Sequence, residues 1–130
     1  MSKYKSQGFR NTFKNARKGF RLVLKSERNL RIHLTVGSFV IAAAIMLGFS
    51  MVKFCILLLA IALVIVSEMF NSAIEFSLDS YYHNRYSRMV GMAKDISAGA
   101  VMFSTIISII IGCLIFGQAI IEIIAKGLIL

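Results

Sequence analysis

The chain of 130 residues contains no proline, no tryptophan, two cysteines and only six acidic residues, and 16% of its residues are charged against 58% apolar. That shortage of charge excludes a soluble globular domain, in which roughly 25% charged and 45–50% apolar residues are usual. The same apolarity excludes a disordered chain. Cys55 and Cys113 both lie inside apolar stretches, where a thiol serves as a small hydrophobe. Neither a disulfide-stapled secreted module nor a metal-binding cysteine pair is indicated. There is also no internal repeat and no low-complexity linker.

What is present is hydrocarbon in long runs. Leu34–Val52 (19 residues), Phe54–Ser67 (14) and Ile96–Ile121 (26) carry no charge. A bilayer core of about 30 Å takes about 20 helical residues, so the first and third runs suffice alone. The second becomes long enough only if its helix continues through Glu68, Glu75 and Asp79.

Charge is distributed as unevenly as hydrocarbon. Residues 1–31 hold ten of the fifteen basic residues and one acid, Glu27; residues 32–130 hold five of each sign. Within the arm Phe9, Phe13, Ala16, Phe20 and Leu24 recur on one helical face, with Arg10, Lys14, Arg17, Lys18 and Arg21 mostly elsewhere on the circumference. That pattern describes a helix lying in a membrane interface, rings in lipid and basic heads in water. Nothing resembles a base-reading module, so nucleic acid is not an expected partner.

These features predict an all-α integral membrane protein with an N-terminal amphipathic surface helix in residues 1–30. A three-helix transmembrane domain follows in 31–125, with spans at about 31–52, 53–81 and 94–125 and a cytoplasmic loop at about 80–95. With the N-terminus inside, thirteen basic residues flank the spans on the cytoplasmic side and two, Lys53 and Lys126, on the outside. The C-terminus is then external. A secretory signal peptide fits poorly, because the basic stretch is long and no small-residue cleavage site follows the first run. Ala100, Ser104, Ser108 and Gly112, spaced by four in the third span, form a small-residue stripe for close helix packing.

The chemistry concentrates on the second span. Glu68, Asn71, Ser72, Glu75 and Asp79 fall within an arc of about 100° at 100° per residue. Asp79 lies where a helix would leave the membrane. Glu68, however, follows 14 uncharged residues that cover about 21 Å, which leaves it about 9 Å inside the core. An intramembrane carboxylate is costly and points to function. A carboxylate about 10 Å nearer the surface, Glu75, can hold a divalent cation, while the deeper one can accept a proton from a hydroxyl. Mg²⁺ typically binds through one or two carboxylates plus substrate phosphates. The third span opens with Lys94-Asp95-Ile96-Ser97 at the same level, where free backbone N–H groups and a lysine favour anions. Metal, basic groups and a base are the components of phosphoryl transfer. No Walker sequence, glycine-rich kinase loop or HRD-type motif accompanies them, so a nucleotide would need an all-helical site.

Glu68-Met-Phe-Asn71-Ser72-Ala73-Ile74-Glu75, then Asp79, then Ala93-Lys94-Asp95 before Ser97-Ala98-Gly99-Ala100, resemble the signature of the small prokaryotic diacylglycerol kinase family. The resemblance covers nearly the whole chain, and Ser26-Glu27-Arg28-Asn29-Leu30 is similar to its Gram-positive branch, which phosphorylates undecaprenol. It implies a bacterial plasma-membrane kinase that uses ATP and Mg²⁺ on a lipid alcohol, as a homotrimer with shared active sites. Glu68 would be the general base and Glu27 and Glu75 the metal ligands. Asn71, Lys94 and Asp95, with Asn84, Arg85 and Tyr86 in the loop, would line the nucleotide site. Arg21, Ser72 and Glu68 itself would meet the lipid substrate. Diacylglycerol is the alternative substrate. A non-catalytic small pore protein is the distant alternative, and it leaves the clustered carboxylates without a role. His33 is expected at the head-group level as an interfacial residue with no assigned role, and Glu122 at the outer interface.

Overall fold

A computed structural model describes residues 8–83, 85 and 87–128 of the chain. The described residues form four helices and no strand: α1 Phe9–Ser26, α2 Arg28–Met46, α3 Met51–Tyr82 and α4 Arg88–Leu128. Helices α2, α3 and α4 are each long and apolar enough to cross a membrane. Helix α3 packs on both α2 and α4, and α1 touches α2 and α3. Large apolar side chains such as Phe39, Leu59 and Ile121 remain well exposed around the bundle. In water this would be unstable. In a bilayer it is the required arrangement, because lipid solvates the side chains while each helix satisfies its own backbone.

The joint between α1 and α2 is one residue. Glu27 adopts an extended backbone (φ −99°, ψ 117°) while its N–H still donates to Val23 O at 2.8 Å. An acid in this N-cap position commonly accepts from the next turn's amides. The Glu27 side chain makes no such bond and is left for other partners. Arg31 secures the elbow instead: its Nη1 donates to Leu24 O (3.0 Å) and Lys25 O (2.9 Å), satisfying the last carbonyls of α1. Helix α2 thus starts at Arg28, three residues before the expected span.

On α2, the buried residues Leu30, Gly37 and Ala44 repeat every seven and face α3. Gly37 makes this contact possible, since a Cβ there would lie 2.9 Å from Ile61 Cγ2. The helix ends at Gly48, whose φ of +64° is the left-handed conformation glycine adopts without steric cost. Phe49 N donates back to Ala44 O at 3.1 Å, and Ser50 Oγ accepts from Lys53 N at 3.5 Å to start α3. The result is a tight antiparallel hairpin, whose turn meets α4 through a 5.0 Å ring contact between Phe49 and Phe116.

Helix α3 buries Leu57, Ala60, Val64, Glu68 and Ser72 at helical spacing, so two polar residues continue an otherwise apolar seam. Its 32 residues measure about 48 Å, well beyond a 30 Å core, so one end must project. His83, in left-handed conformation (φ 50°, ψ 43°), stops the helix. Helix α4 begins at Arg88, six residues before the expected start, because Ser87 Oγ accepts from Val90 N at 3.2 Å in N-cap fashion. The connection between α3 and α4 is therefore residues 83–87. Along α4, Ser104 is buried, Ser108 and Gly112 are half-buried and Ala100 is exposed, so three members of the stripe lie in or beside the packed region. Ser108 Oγ reaches Ala60 O at 2.9 Å and Ser104 O at 2.8 Å, a polar tie between antiparallel helices.

Candidate active site

The α3–α4 register set by Ser108 and Ala60 brings Ser97 against Asn71, near the end of the bundle remote from the hairpin. Ser97 Oγ lies 2.6 Å from Asn71 Oδ1 and 2.9 Å from Lys94 O, and its single proton goes to the nearer acceptor. With its oxygen so engaged, the Asn71 amide turns its Nδ2 toward Glu75 Oε1 at 3.3 Å. One amide therefore links α4 to a carboxylate on α3. Two turns beyond Asn71, Lys94 Nζ donates to Asp79 Oδ1 at 2.6 Å.

Deeper on the same face sits Glu68, 4% exposed. Its carboxylate Oε1 lies 3.3 Å from His33 Nε2 on α2. Ser72, fully buried, donates its hydroxyl to Glu68 O at 3.0 Å, so that proton is committed to the helix backbone. Both Glu27 and Glu75 are close enough to Glu68 for their charges to act on it. Among the described residues no three His, Cys, Asp or Glu side chains come together as a ready-made metal site, so a cation here would need ligands from outside this set. Hard oxygen donors on two elements are the set Mg²⁺ takes when substrate phosphates complete its shell. Glu27 and Glu75 are carboxylates on two such elements, and Glu68 lies deeper, in contact with His33.

On the hairpin side of Glu68 a cavity of about 530 Å³ opens between α2, α3 and α4. Val36, Val40, Leu57, Ile61, Val64 and Ile109 are among the apolar residues of its wall, which His33 also lines. Val64 lies one turn from Glu68, about 6 Å along the axis. Polar groups are few in this wall. Ser108 is already bonded, whereas the buried Thr105 Oγ1 has no partner among the described residues.

The remaining sequence candidates are more dispersed. Lys94 joins the cluster through Asp79, whereas Asp95 on the neighbouring position is exposed. Arg21 is exposed on α1, and Arg85 is exposed with its N–H on Tyr82 O at 2.9 Å. Asn84 and Tyr86 lie outside the described residues. Two participants went unassigned in the sequence. Ser97 orients Asn71, and His33, read there as interfacial, contacts Glu68. A signal existed for the histidine: it falls three residues after Leu30 and four before Gly37, on the inward face of α2.

Comparison with known proteins supports the same grouping. Residues 14–116 match the family model of prokaryotic diacylglycerol kinase. The chain is 34% identical over 105 residues to a protein of Synechocystis sp. named diacylglycerol kinase, an overlap of 80% of this chain and 60% of the relative. It is 32% identical over 108 residues to a Bacillus subtilis protein named undecaprenol kinase, an overlap of 83% of this chain and 87% of the relative. The chain thus spans less than two thirds of the cyanobacterial protein and most of the Bacillus one. The family match contains Glu68, Asn71, Glu75 and Lys94 in the geometry described above. The chain is a helical membrane protein that belongs to the prokaryotic diacylglycerol kinase family.

Proposed function

We propose that the protein is a bacterial plasma-membrane lipid kinase that transfers the γ-phosphoryl group of ATP to the hydroxyl of undecaprenol, giving undecaprenyl phosphate. The observation that carries the reading is the position of Glu68, a buried carboxylate one turn from Val64 of the apolar cavity and one turn from Asn71 of the polar cluster. An amphiphilic alcohol fits both sides, its chain in the cavity and its hydroxyl at the carboxylate.

Glu68 accepts the hydroxyl proton as the oxygen attacks the γ-phosphorus, and the bond to the bridging oxygen of ADP breaks. Such proton transfer typically contributes about 10²–10⁴-fold. Mg²⁺ bound through Glu27, Glu75 and the nucleotide phosphates would neutralise charge on the transferring group. Asn71, fixed by Ser97, holds Glu75 in place. Lys94, Asp95 and Arg85, with Asn84 and Tyr86, are assigned to the nucleotide, and Lys94 would exchange Asp79 for a phosphate oxygen. Arg21 on α1 and Ser72 are assigned to the lipid side. In this reading the N-terminus is inside and the C-terminus outside, so that this end faces the cytoplasm, where ATP is; the bias of thirteen basic residues to two in the sequence supports that orientation. The arm α1 lies in the interface. A homotrimer with shared sites fits the exposed small residue Ala100 and the unpartnered apolar faces of the bundle.

Undecaprenol is preferred to diacylglycerol because the cavity wall is almost wholly apolar. Two ester carbonyls removed from water require hydrogen-bond donors. Thr105 supplies one, and that hydroxyl is the specific observation favouring diacylglycerol as the second reading. Purified protein given ATP, Mg²⁺ and each lipid in the same detergent decides between them. A larger kcat/KM for the prenol is expected. Equal or reversed preference would move the assignment to diacylglycerol kinase, and phosphorylation of neither lipid would remove the kinase reading.

A further inference from the structure

We infer that His33 is a positioning residue for Glu68: its ring N–H holds one carboxylate oxygen so that the other faces the substrate hydroxyl. The inference rests on the proposed role of Glu68 as base. Helices α2 and α3 supply one member each, 35 positions apart in the chain, and the 3.3 Å contact is the tie between them at this level. A carboxylate only accepts hydrogen bonds, so the imidazole nitrogen facing it carries a proton. Among the described residues, His33 is the side-chain partner of the Glu68 carboxylate. The Ser72 hydroxyl, the other polar group nearby, is turned to the backbone.

The backbone of α2 is arranged to make this contact. Gly37, one turn from His33, packs directly on Ile61 and sets the distance between the two helices. Leu30, three residues before His33 and completely buried, fixes the rotation of α2. The Glu68 side chain is 5% exposed, and that of His33 is 26% exposed and lines the cavity. A lipid hydroxyl rising along that wall meets the ring before it meets the base. Glutamate has three rotatable side-chain torsions, and a base that samples several of them is in attack geometry only part of the time. With Oε1 held in contact with His33, Oε2 is the oxygen left to take the proton.

The test uses full-length His33→Ala and His33→Gln, alone and combined with Glu68→Gln, in the detergent-purified protein. For His33→Ala, kcat should fall about tenfold or more, while KM for lipid and for ATP stays within twofold. Displacements of about 1 Å at reacting groups have effects of this size or larger. Glutamine keeps an N–H donor and should recover at least a third of the lost kcat. In the Glu68→Gln background, removing the His33 ring should cost less than twofold. An unchanged kcat in His33→Ala, a loss confined to KM, no recovery by glutamine, or an additive loss in the double variant would each overturn the inference. The contact also has a readout independent of turnover. The chain has two histidines, His33 and His83, so ¹⁵N ring resonances are assignable by a His83→Gln variant. The His33 ring signals should move on Glu68→Gln, and unmoved signals would overturn the inference even if neither lipid were phosphorylated. Inactivity toward both lipids, by contrast, would overturn the kinase reading alone.

Discussion

Gly37→Ala offers a test of how helix packing sets the position of the Glu68 carboxylate, which Gly37 does not itself contact. The added Cβ would lie 2.9 Å from Ile61 Cγ2 and 3.6 Å from both Cγ1 and Cδ1. Carbon atoms settle at about 3.5–4.0 Å, so the contact must open by about 0.6–1.1 Å. Ile61 cannot easily turn away, because β-branched side chains hold essentially one χ1 rotamer in a helix. The backbones must therefore separate. Overpacking of this kind costs about 1–3 kcal/mol, and between membrane helices packing is the main attraction available. The same separation would take the His33–Glu68 pair from 3.3 Å to about 4 Å, beyond hydrogen-bond range. Thermal unfolding in detergent should show the destabilisation, and initial rates should show kcat reduced about tenfold. Ile61→Ala in the same chain removes the obstructing methyl, and the coupling between the two substitutions should be about 0.5–3 kcal/mol in the restoring direction. A Gly37→Ala protein with the parent's melting temperature and kcat would refute the reasoning. So would an Ile61→Ala double variant that recovers nothing.

Other predictions address the metal and the lipid separately. Glu27→Ala and Glu75→Ala should each raise the Mg²⁺ and ATP concentrations needed for half-maximal rate, together, because the two carboxylates would hold the ion that accompanies the nucleotide; an unchanged requirement in Glu27→Ala would make Glu27 an ordinary surface acid. Thr105→Val removes the unpartnered hydroxyl from the cavity wall and should leave kcat/KM for a prenol within twofold, whereas a fivefold or greater loss would indicate that the substrate uses that donor. Gly112 lines the cavity, and a Cβ there would meet nothing within 4 Å. Gly112→Leu should therefore raise the KM for lipid several-fold without lowering the melting temperature, and an unchanged KM would place the chain elsewhere.

Much of this architecture was legible in the sequence because a membrane imposes few solutions. Uncharged runs near 20 residues become helices, and the period of 3.6 stacks Glu68, Ser72 and Glu75 on one face. The helix boundaries depended on capping chemistry that hydropathy does not register. Arg88 reads as a loop charge, yet Ser87 Oγ nucleates α4 before it. Glu27 reads as a lone acid in a basic arm, yet its extended backbone is the hinge between α1 and α2. Contacts between helices were less accessible still. Ser97 finds Asn71 only once the antiparallel register of α3 and α4 is set, 26 residues apart. His33 finds Glu68 only because Gly37 lets α2 approach. Spacing within a helix reveals which side chains share a face, and pairing across helices depends on packing that no single run encodes.

The proposed catalysis turns on Glu68 as the proton acceptor, and Glu68→Gln measures that directly. An amide has the shape of the carboxylate but cannot take the hydroxyl proton at neutral pH. Turnover with saturating ATP, Mg²⁺ and lipid should fall by about 10²–10⁴-fold, the usual contribution of general acid–base catalysis. The variant should retain nucleotide affinity and its oligomeric state. Turnover within threefold of the parent would contradict the assignment of Glu68 as base.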